Sequence, residues 1–81
     1  GRADAVMFSP STVFVFEIKI NKSAQEALAQ IDDKGYMVPF EADGRKLVKI
    51  GISFSTTTRT IEDWEYRIQA NDSTTPIPPV D

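Results

Sequence analysis

The sequence contains neither cysteine nor histidine in its 81 residues. This excludes disulfide bonds, thiol nucleophiles, zinc fingers and every catalytic arrangement that uses a histidine base. No apolar run approaches the roughly 20 residues of a membrane-spanning helix, and the first residues lack the basic and apolar segments of a secretion signal. We therefore expect no membrane partner and a cytoplasmic location, with chemistry left to carboxylates, lysines, hydroxyls and amides.

Basic side chains are also scarce. Nine Lys and Arg face twelve Asp and Glu, so the formal net charge is −3 at pH 7. Attraction to nucleic acid through bulk charge is therefore not expected, and any such contact has to be local. The hydrophobic fraction of 41% and the charged fraction of 26% are those of an ordinary globular chain, and 81 residues make one domain at most.

Two segments rich in β-forming residues predict a hairpin near the start of the chain. Residues 3–8 (ADAVMF) and 12–20 (TVFVFEIKI) are separated by Ser9-Pro10-Ser11, a sequence typical of turns. A tight turn there pairs residues whose numbers sum to 21, and this register places Asp4 opposite Glu17. The hairpin therefore predicts two carboxylates on adjacent strands.

The second of these segments has one charged face and one apolar face. Because side chains alternate along a strand, Glu17 and Lys19 share a face. We expect the opposite face to be the purely apolar core face, with Phe14, Phe16, Ile18 and Ile20. An ordinary interpretation of the charged residues is an ion pair two positions apart on an open sheet face. A functional interpretation requires something for the pair to bind.

The segment 21–36, NKSAQEALAQIDDKGY, predicts a helix of about three turns. Ser23 and Glu26 have capping-box spacing, and Gly35 supplies a stop signal. The apolar stripe of the helix consists of Ala24, Ala27, Leu28 and Ile31. Gln30 lies on the flank of this stripe, where its side chain can reach the edge of the covered surface. An ordinary glutamine on the helix surface is the competing interpretation.

Two further strands complete the predicted fold. Residues 47–55 (LVKIGISFS) follow the helix and are expected to run parallel to 12–20, and 58–69 (TRTIEDWEYRIQ) alternate as an amphipathic edge strand does. The fold class is α/β (α+β), a mixed four-stranded sheet with one main helix over residues 1–69. Residues 70–81 are polar and rich in proline, which predicts a flexible tail.

The opposed carboxylates predict a metal site. Like charges directly opposite each other destabilise a sheet, so Asp4 facing Glu17 needs a physical reason. Mg²⁺ supplies one, because it prefers one or two protein carboxylates and completes its shell with water and phosphate oxygens. Lys19, on the same face, can meet a phosphate from the side. This constellation predicts metal-assisted hydrolysis of a phosphodiester, with Mg²⁺ or Mn²⁺.

In the order of these features the sequence resembles the PD-(D/E)XK nuclease superfamily. The features are Asp4, twelve intervening residues, Glu17-Ile18-Lys19 in an apolar strand, and a helix with Gln30 followed by Tyr36. Over residues 1 to about 68 the chain is similar to the nuclease-type domain at the C-terminus of bacterial proteins with an ATPase-like N-terminal module. The resemblance implies a partial restriction-endonuclease-like core that lacks its first helix and first strand.

The resemblance also implies a role for each site residue. Asp4 and Glu17 would be the metal-binding acids, with the backbone carbonyl of Ile18 also facing the ion. Lys19 would be the catalytic lysine. Gln30 would help to hold the active centre or the substrate, and Tyr36 is a looser match because its spacing from Gln30 is longer than usual.

Two functions and several partners follow as expectations. The chain is either a metal-dependent nuclease domain acting on DNA, or a catalytically inactive interaction or dimerisation module of a larger ATPase-like protein. Strand 3–8 would expose an unpaired edge, so we expect a homo-oligomer or association with the missing N-terminal module. Arg45, Lys46 and Lys49 form a small basic cluster, either a solvated turn or a phosphate contact.

Overall fold

A computed structural model of the chain describes residues 2–69. Four strands form one sheet in the order β1-β2-β3-β4, and one helix joins the two central strands. Pairing is antiparallel between β1 and β2 and between β3 and β4, and parallel between β2 and β3. In chain order the elements are β1 (Ala5–Phe8), β2 (Thr12–Ile20), α1 (Ala24–Asp33), a 3₁₀ turn (Val38–Phe40), β3 (Lys46–Ser55) and β4 (Thr60–Gln69). This confirms the predicted mixed sheet with one main helix. The predicted tail, 70–81, lies outside the described residues.

The hairpin has the predicted register. Val6 pairs with Val15 and Phe8 with Val13, and the Ser9 hydroxyl closes the turn by accepting from the backbone N–H of Thr12. The ladder of β1 begins at residue 5, two residues later than predicted, and Asp4 contacts the neighbouring strand through both its backbone N–H and its side chain. These two contacts of Asp4 with β2 begin the candidate site.

Helix α1 is fixed at both ends as its sequence predicts. Ser23 and Glu26 form the complete capping box, and Gly35 follows with a φ of +67°, a conformation that favours glycine. The four predicted stripe residues, Ala24, Ala27, Leu28 and Ile31, are all buried. None of the helices within residues 2–69 is long and apolar enough to cross a membrane.

Close contact between α1 and the sheet depends on Gly51 in β3. A Cβ at this position would overlap the backbone carbonyl oxygen of Ala24 and lie 3.0 Å from the backbone nitrogen of Leu28. Gly51 pairs with Glu17 of β2 in the parallel ladder. The helix backbone therefore lies close to the sheet at the ladder position of Glu17.

The helix covers the face that carries Glu17, and the expectation that the Phe14 face is the core was wrong. The buried cluster consists of Val13, Val15, Leu28, Ile31, Met37 and Leu47. A single helix covers only one face of a sheet. Gly51 lies on the Glu17 face and leaves room for the backbone of α1, whereas the opposite face of the same strand carries Ile50 and Ile52.

The uncovered face, called the open face below, is broad and apolar. Seven of its large side chains are between 43% and 60% exposed: Met7, Ile18, Ile20, Ile61, Trp64, Tyr66 and Ile68. Trp64 and Tyr66 stack, with ring centroids 6.3 Å apart. Soluble monomers rarely expose an apolar patch of this extent, and such patches usually mark interaction surfaces.

Candidate active site

Glu17 is the buried carboxylate of the structure. Its side chain, 5% exposed, lies beneath α1 in the row that continues Val13 and Val15. One oxygen, Oε2, accepts a hydrogen bond of 2.5 Å from Nε2 of Gln30. The other, Oε1, is buried and has no hydrogen-bond partner among residues 2–69. Because a buried ionised carboxylate is unfavourable without compensation, this oxygen calls for a further ligand.

The environment of Glu17 disfavours its charged form. Burial raises the pKa of the Glu17 carboxyl above its ordinary value of 4.5, and the neighbouring negative charge of Asp4 raises it further. The positive charge of Lys19 acts in the opposite direction on the same pKa. The charges of Asp4 and Lys19 therefore act on the pKa of Glu17 in opposite directions, while burial has the largest effect.

Asp4 reaches the site from the edge of the sheet. Its Oδ2 accepts a hydrogen bond of 2.7 Å from the backbone N–H of Ile18, and its own N–H donates to the carbonyl oxygen of Phe16. The N–H and C=O of one strand residue point towards the same neighbouring strand. The carbonyl of Ile18 therefore points towards the edge where Asp4 lies, whereas the Ile18 side chain belongs to the open face.

Gln30 joins the helix to the carboxylate. Its Nε2 donates to Glu17 and also, at 3.3 Å, to the phenolic oxygen of Tyr36. Tyr36 itself packs against the buried cluster. The two contacts fix the amide between a buried acid and a packed ring, so Gln30 is more than a solvated residue of the helix surface.

Lys19 lies on the helix side of β2 and lines a groove that Gln30 also lines. Two more lysines in this groove, Lys22 and Lys34, were missed by sequence reasoning. A signal for Lys34 was present, because residues four apart on a helix share a face and Lys34 follows Gln30 by four. Lys22 follows the end of β2 and had no comparable signal.

Two of the three residues of the basic cluster, Arg45 and Lys49, have structural partners. Arg45 forms a salt bridge with Asp43 and lies 5.2 Å from the centre of the Phe8 ring. Lys49 forms a salt bridge of 2.8 Å with Asp32. These contacts favour the interpretation of the cluster as part of a turn rather than as a phosphate site.

The donor atoms at the site fit a hard divalent cation. Asp4 and Glu17 supply carboxylate oxygens, one of them an unpartnered buried atom, and the Ile18 carbonyl faces the same edge. Residues 2–69 contain no group of three or more His, Cys, Asp or Glu side chains arranged for a metal. Two carboxylates and a backbone carbonyl, without His or Cys, suit Mg²⁺ or Mn²⁺ better than zinc.

Comparison with known proteins gives a family. The family model of the PD-(D/E)XK nuclease superfamily matches residues 1–64. The chain is 33% identical over 63 residues to an uncharacterised protein of the vnfD 5′ region from Azotobacter chroococcum mcd 1; the match covers 75% of this chain and 12% of that protein. No solved structure matches. Since the family model covers most of the sequence, the chain belongs to the PD-(D/E)XK nuclease superfamily.

Proposed function

We propose that residues 1–69 are a metal-dependent nuclease domain that hydrolyses DNA phosphodiester bonds. The observation that carries the proposal is the buried Oε1 of Glu17, which lacks a partner within residues 2–69 while a second carboxylate lies beside it. A purely structural protein gains nothing from this arrangement, which raises the pKa of Glu17 and leaves a polar atom unpaired. A bound cation removes both costs.

Asp4 and Glu17, with the carbonyl of Ile18, would hold Mg²⁺ or Mn²⁺. When bound, the ion would neutralise charge on the phosphate and make a water molecule more acidic. Gln30 keeps the Glu17 carboxylate oriented by donating to Oε2, and Tyr36 keeps Gln30 in place. Lys19 would contact a phosphate oxygen and stabilise the negative charge that develops during hydrolysis.

The test is cleavage of supercoiled plasmid DNA by the full chain in Mg²⁺ or Mn²⁺. We expect nicking that stops when the metal is chelated. Glu17→Gln and Lys19→Met should each lower the rate by about 100-fold or more, the usual effect of removing electrostatic stabilisation. Glu62→Gln changes an exposed acid of β4 outside the site and is the matched control. Absence of cleavage by the wild type, or equal cleavage by Glu17→Gln, would contradict the proposal.

The second candidate is a catalytically inactive module of a larger ATPase-like protein. The net charge of −3 and the broad open face favour it. Calorimetric titration with Mn²⁺ separates the two: a catalytic site gives a binding signal that Asp4→Asn removes, whereas an inactive module gives none. The chain spans 12% of the length of the Azotobacter chroococcum protein. What a longer protein containing this chain does is therefore also a proposal.

We also propose that the open face associates with a second copy of the chain. Seven half-exposed apolar side chains leave roughly 100 Å² each in contact with water, or about 700 Å² together. A standard interface buries about 800 Å² on each partner. The seven side chains carry no charge, so two such faces can meet without repulsion, as sheets do in β-sandwiches.

The proposed location is the cytoplasm, where bacterial DNA lies.

A further inference from the structure

A groove of about 260 Å³ lies between the end of β2 and one flank of α1. Lys19 and Lys22 line it from the strand side, and Gln30 and Lys34 line it from the helix side. Gln30 and Lys34 are four residues apart and therefore lie on one helix face. The groove combines side chains from three consecutive parts of the chain.

The three lysines of this groove form no salt bridge, unlike three of the six other Lys and Arg side chains within residues 2–69. Arg45, Lys49 and Arg67 form salt bridges, whereas none of the groove lysines forms one within residues 2–69. No salt bridge within residues 2–69 therefore holds their ammonium groups away from a ligand.

Two acids also line the groove, but one of them is already engaged. The Glu26 carboxylate accepts hydrogen bonds from the backbone N–H and the hydroxyl of Ser23, which lower the pKa of Glu26, and the charges of Lys22 and Lys19 lower it too. Asp33, at the end of α1, is the other acid. Three lysines against two acids give the groove a formal charge of +1, on a chain whose net charge is −3.

The groove is continuous with the candidate active site. Lys19 follows Glu17 by two residues on the same strand face, and Gln30 lines the groove while donating to Glu17. A ligand in the groove therefore lies beside Lys19 and Gln30, the two groove residues that adjoin Glu17. A polymer with phosphates at regular intervals can occupy both places at once.

We propose that this groove binds the backbone phosphates of the DNA strand next to the bond that is cleaved, with Lys22 and Lys34 as the phosphate-contacting residues. The inference rests on the proposed nuclease function and adds the path of the strand, along the Gln30–Lys34 flank of α1. The contacts are electrostatic, so they position DNA without reading its sequence.

The experiment measures binding of a labelled DNA oligonucleotide by fluorescence anisotropy over a range of salt concentrations. All proteins carry Glu17→Gln, which removes the buried negative charge and prevents cleavage during the measurement. Lys22→Gln and Lys34→Gln should each weaken binding about 3- to 10-fold and reduce the salt slope by about 0.7 to 0.9, the value of one phosphate contact. Lys22→Arg should restore both quantities, because it keeps the charge.

Lys46→Gln is the matched control. Lys46 also lacks a salt bridge within the described part of the chain, but it pairs with Thr12 at the other end of the sheet. If Lys22→Gln and Lys34→Gln weaken binding no more than Lys46→Gln, or if no binding is seen, the groove is not the path of the strand. Cleavage by the wild type is assayed separately. Lysine-dependent binding without cleavage would support the groove and contradict the nuclease proposal.

Discussion

At the scale of single residues, Glu17 is the position where stability and function oppose each other. Its carboxylate occupies a place that apolar residues would fill in an ordinary core, since Val13 and Val15 precede it in the same buried row. Only Gln30 donates to it from a side chain within residues 2–69. Residues at functional sites often carry such a cost, and neutralising them tends to stabilise the fold.

We expect Glu17→Gln to raise the free energy of unfolding by about 1 kcal/mol at pH 7. The pKa of Glu17 is higher in the folded state than its ordinary value of 4.5, so the folded state binds the proton more tightly. The stability that this proton contributes is fully present below pH 4.5 and is lost as the pH rises through the folded pKa. The advantage of the variant should therefore shrink between pH 7 and pH 4.5, as measured by urea denaturation.

Glu26→Gln is the control for this measurement, because the pKa of Glu26 is lowered in the folded state whereas that of Glu17 is raised. Hydrogen bonds from Ser23 lower the pKa of Glu26, so its charged form stabilises the fold above the ordinary value of 4.5. The variant should lose stability at pH 7.

Mn²⁺ should raise the denaturation midpoint of the wild type and leave that of Glu17→Gln unchanged. A Glu17→Gln protein less stable than the wild type at pH 7 would contradict the account of this residue.

The register of the hairpin could be predicted from the sequence because it depends on a local turn. The turn at residues 9–11 fixes which residues face each other. In the observed ladder the numbers of paired residues sum to 21, as predicted. The bond from Asp4 to the Ile18 backbone could not be predicted, since it depends on where the β1 ladder stops. Lys22 was missed because its place in the groove depends on how α1 lies over β2, a tertiary relation.

At the scale of elements, the distance between α1 and the sheet controls the site. Gly51 permits this distance, and it is the ladder neighbour of Glu17. Periodicity predicted each strand and the helix, but both faces of β2 and β3 are rich in apolar residues. Pattern alone therefore could not decide which face the helix covers. The absence of a side chain at one position of β3 is the local feature that favours the observed face.

We expect Gly51→Ala to destabilise the protein by about 1–3 kcal/mol, the usual cost of overpacking a core. The added methyl would push α1 away from β3 at Ala24 and Leu28 and lengthen the contact between Gln30 and Glu17. Because this contact orients Glu17, the Mn²⁺ affinity of the variant should also fall. Calorimetry at a temperature where the variant is folded measures it.

Gly44→Ala is the matched control for this substitution. Gly44 has a φ of +94°, and no atom lies within 4 Å of the place that an added methyl would take, so its replacement strains a turn without touching the helix. It should lower stability while Mn²⁺ affinity stays at the wild-type value. Equal loss of affinity in both variants would show that Gly51 acts through general stability and not through the position of α1.

At the scale of the whole molecule, only one of the two faces of the sheet is covered by a helix. One face of the sheet carries α1 and the candidate site, and the other carries the open face. The amphipathic pattern of β4 predicted a single polar edge strand, and β4 does lie at the edge of the sheet. The open face as a unit could not be predicted, because it forms only when β1, β2, β3 and β4 lie side by side.

We expect the chain to be a dimer at high micromolar concentration, with the open faces in contact. Trp64→Glu places a charge in the middle of the proposed interface, where an unpaired charge is unfavourable, and should shift the protein to monomer. Sedimentation velocity measures the change. Glu65→Gln alters the neighbouring position on the other side of β4 and should leave the association unchanged. A wild type that is monomeric at all concentrations would contradict the second-copy proposal.

The open face also affects how folding experiments on this chain are interpreted. Fluorescent dyes such as ANS bind exposed apolar surface and are used to detect molten globules. A natively folded monomer that presents seven half-exposed large apolar side chains should bind such a dye without any loss of structure. Dye emission from this protein would therefore report on what covers β4 and its neighbours, and it would fall as protein concentration or a partner closes that surface.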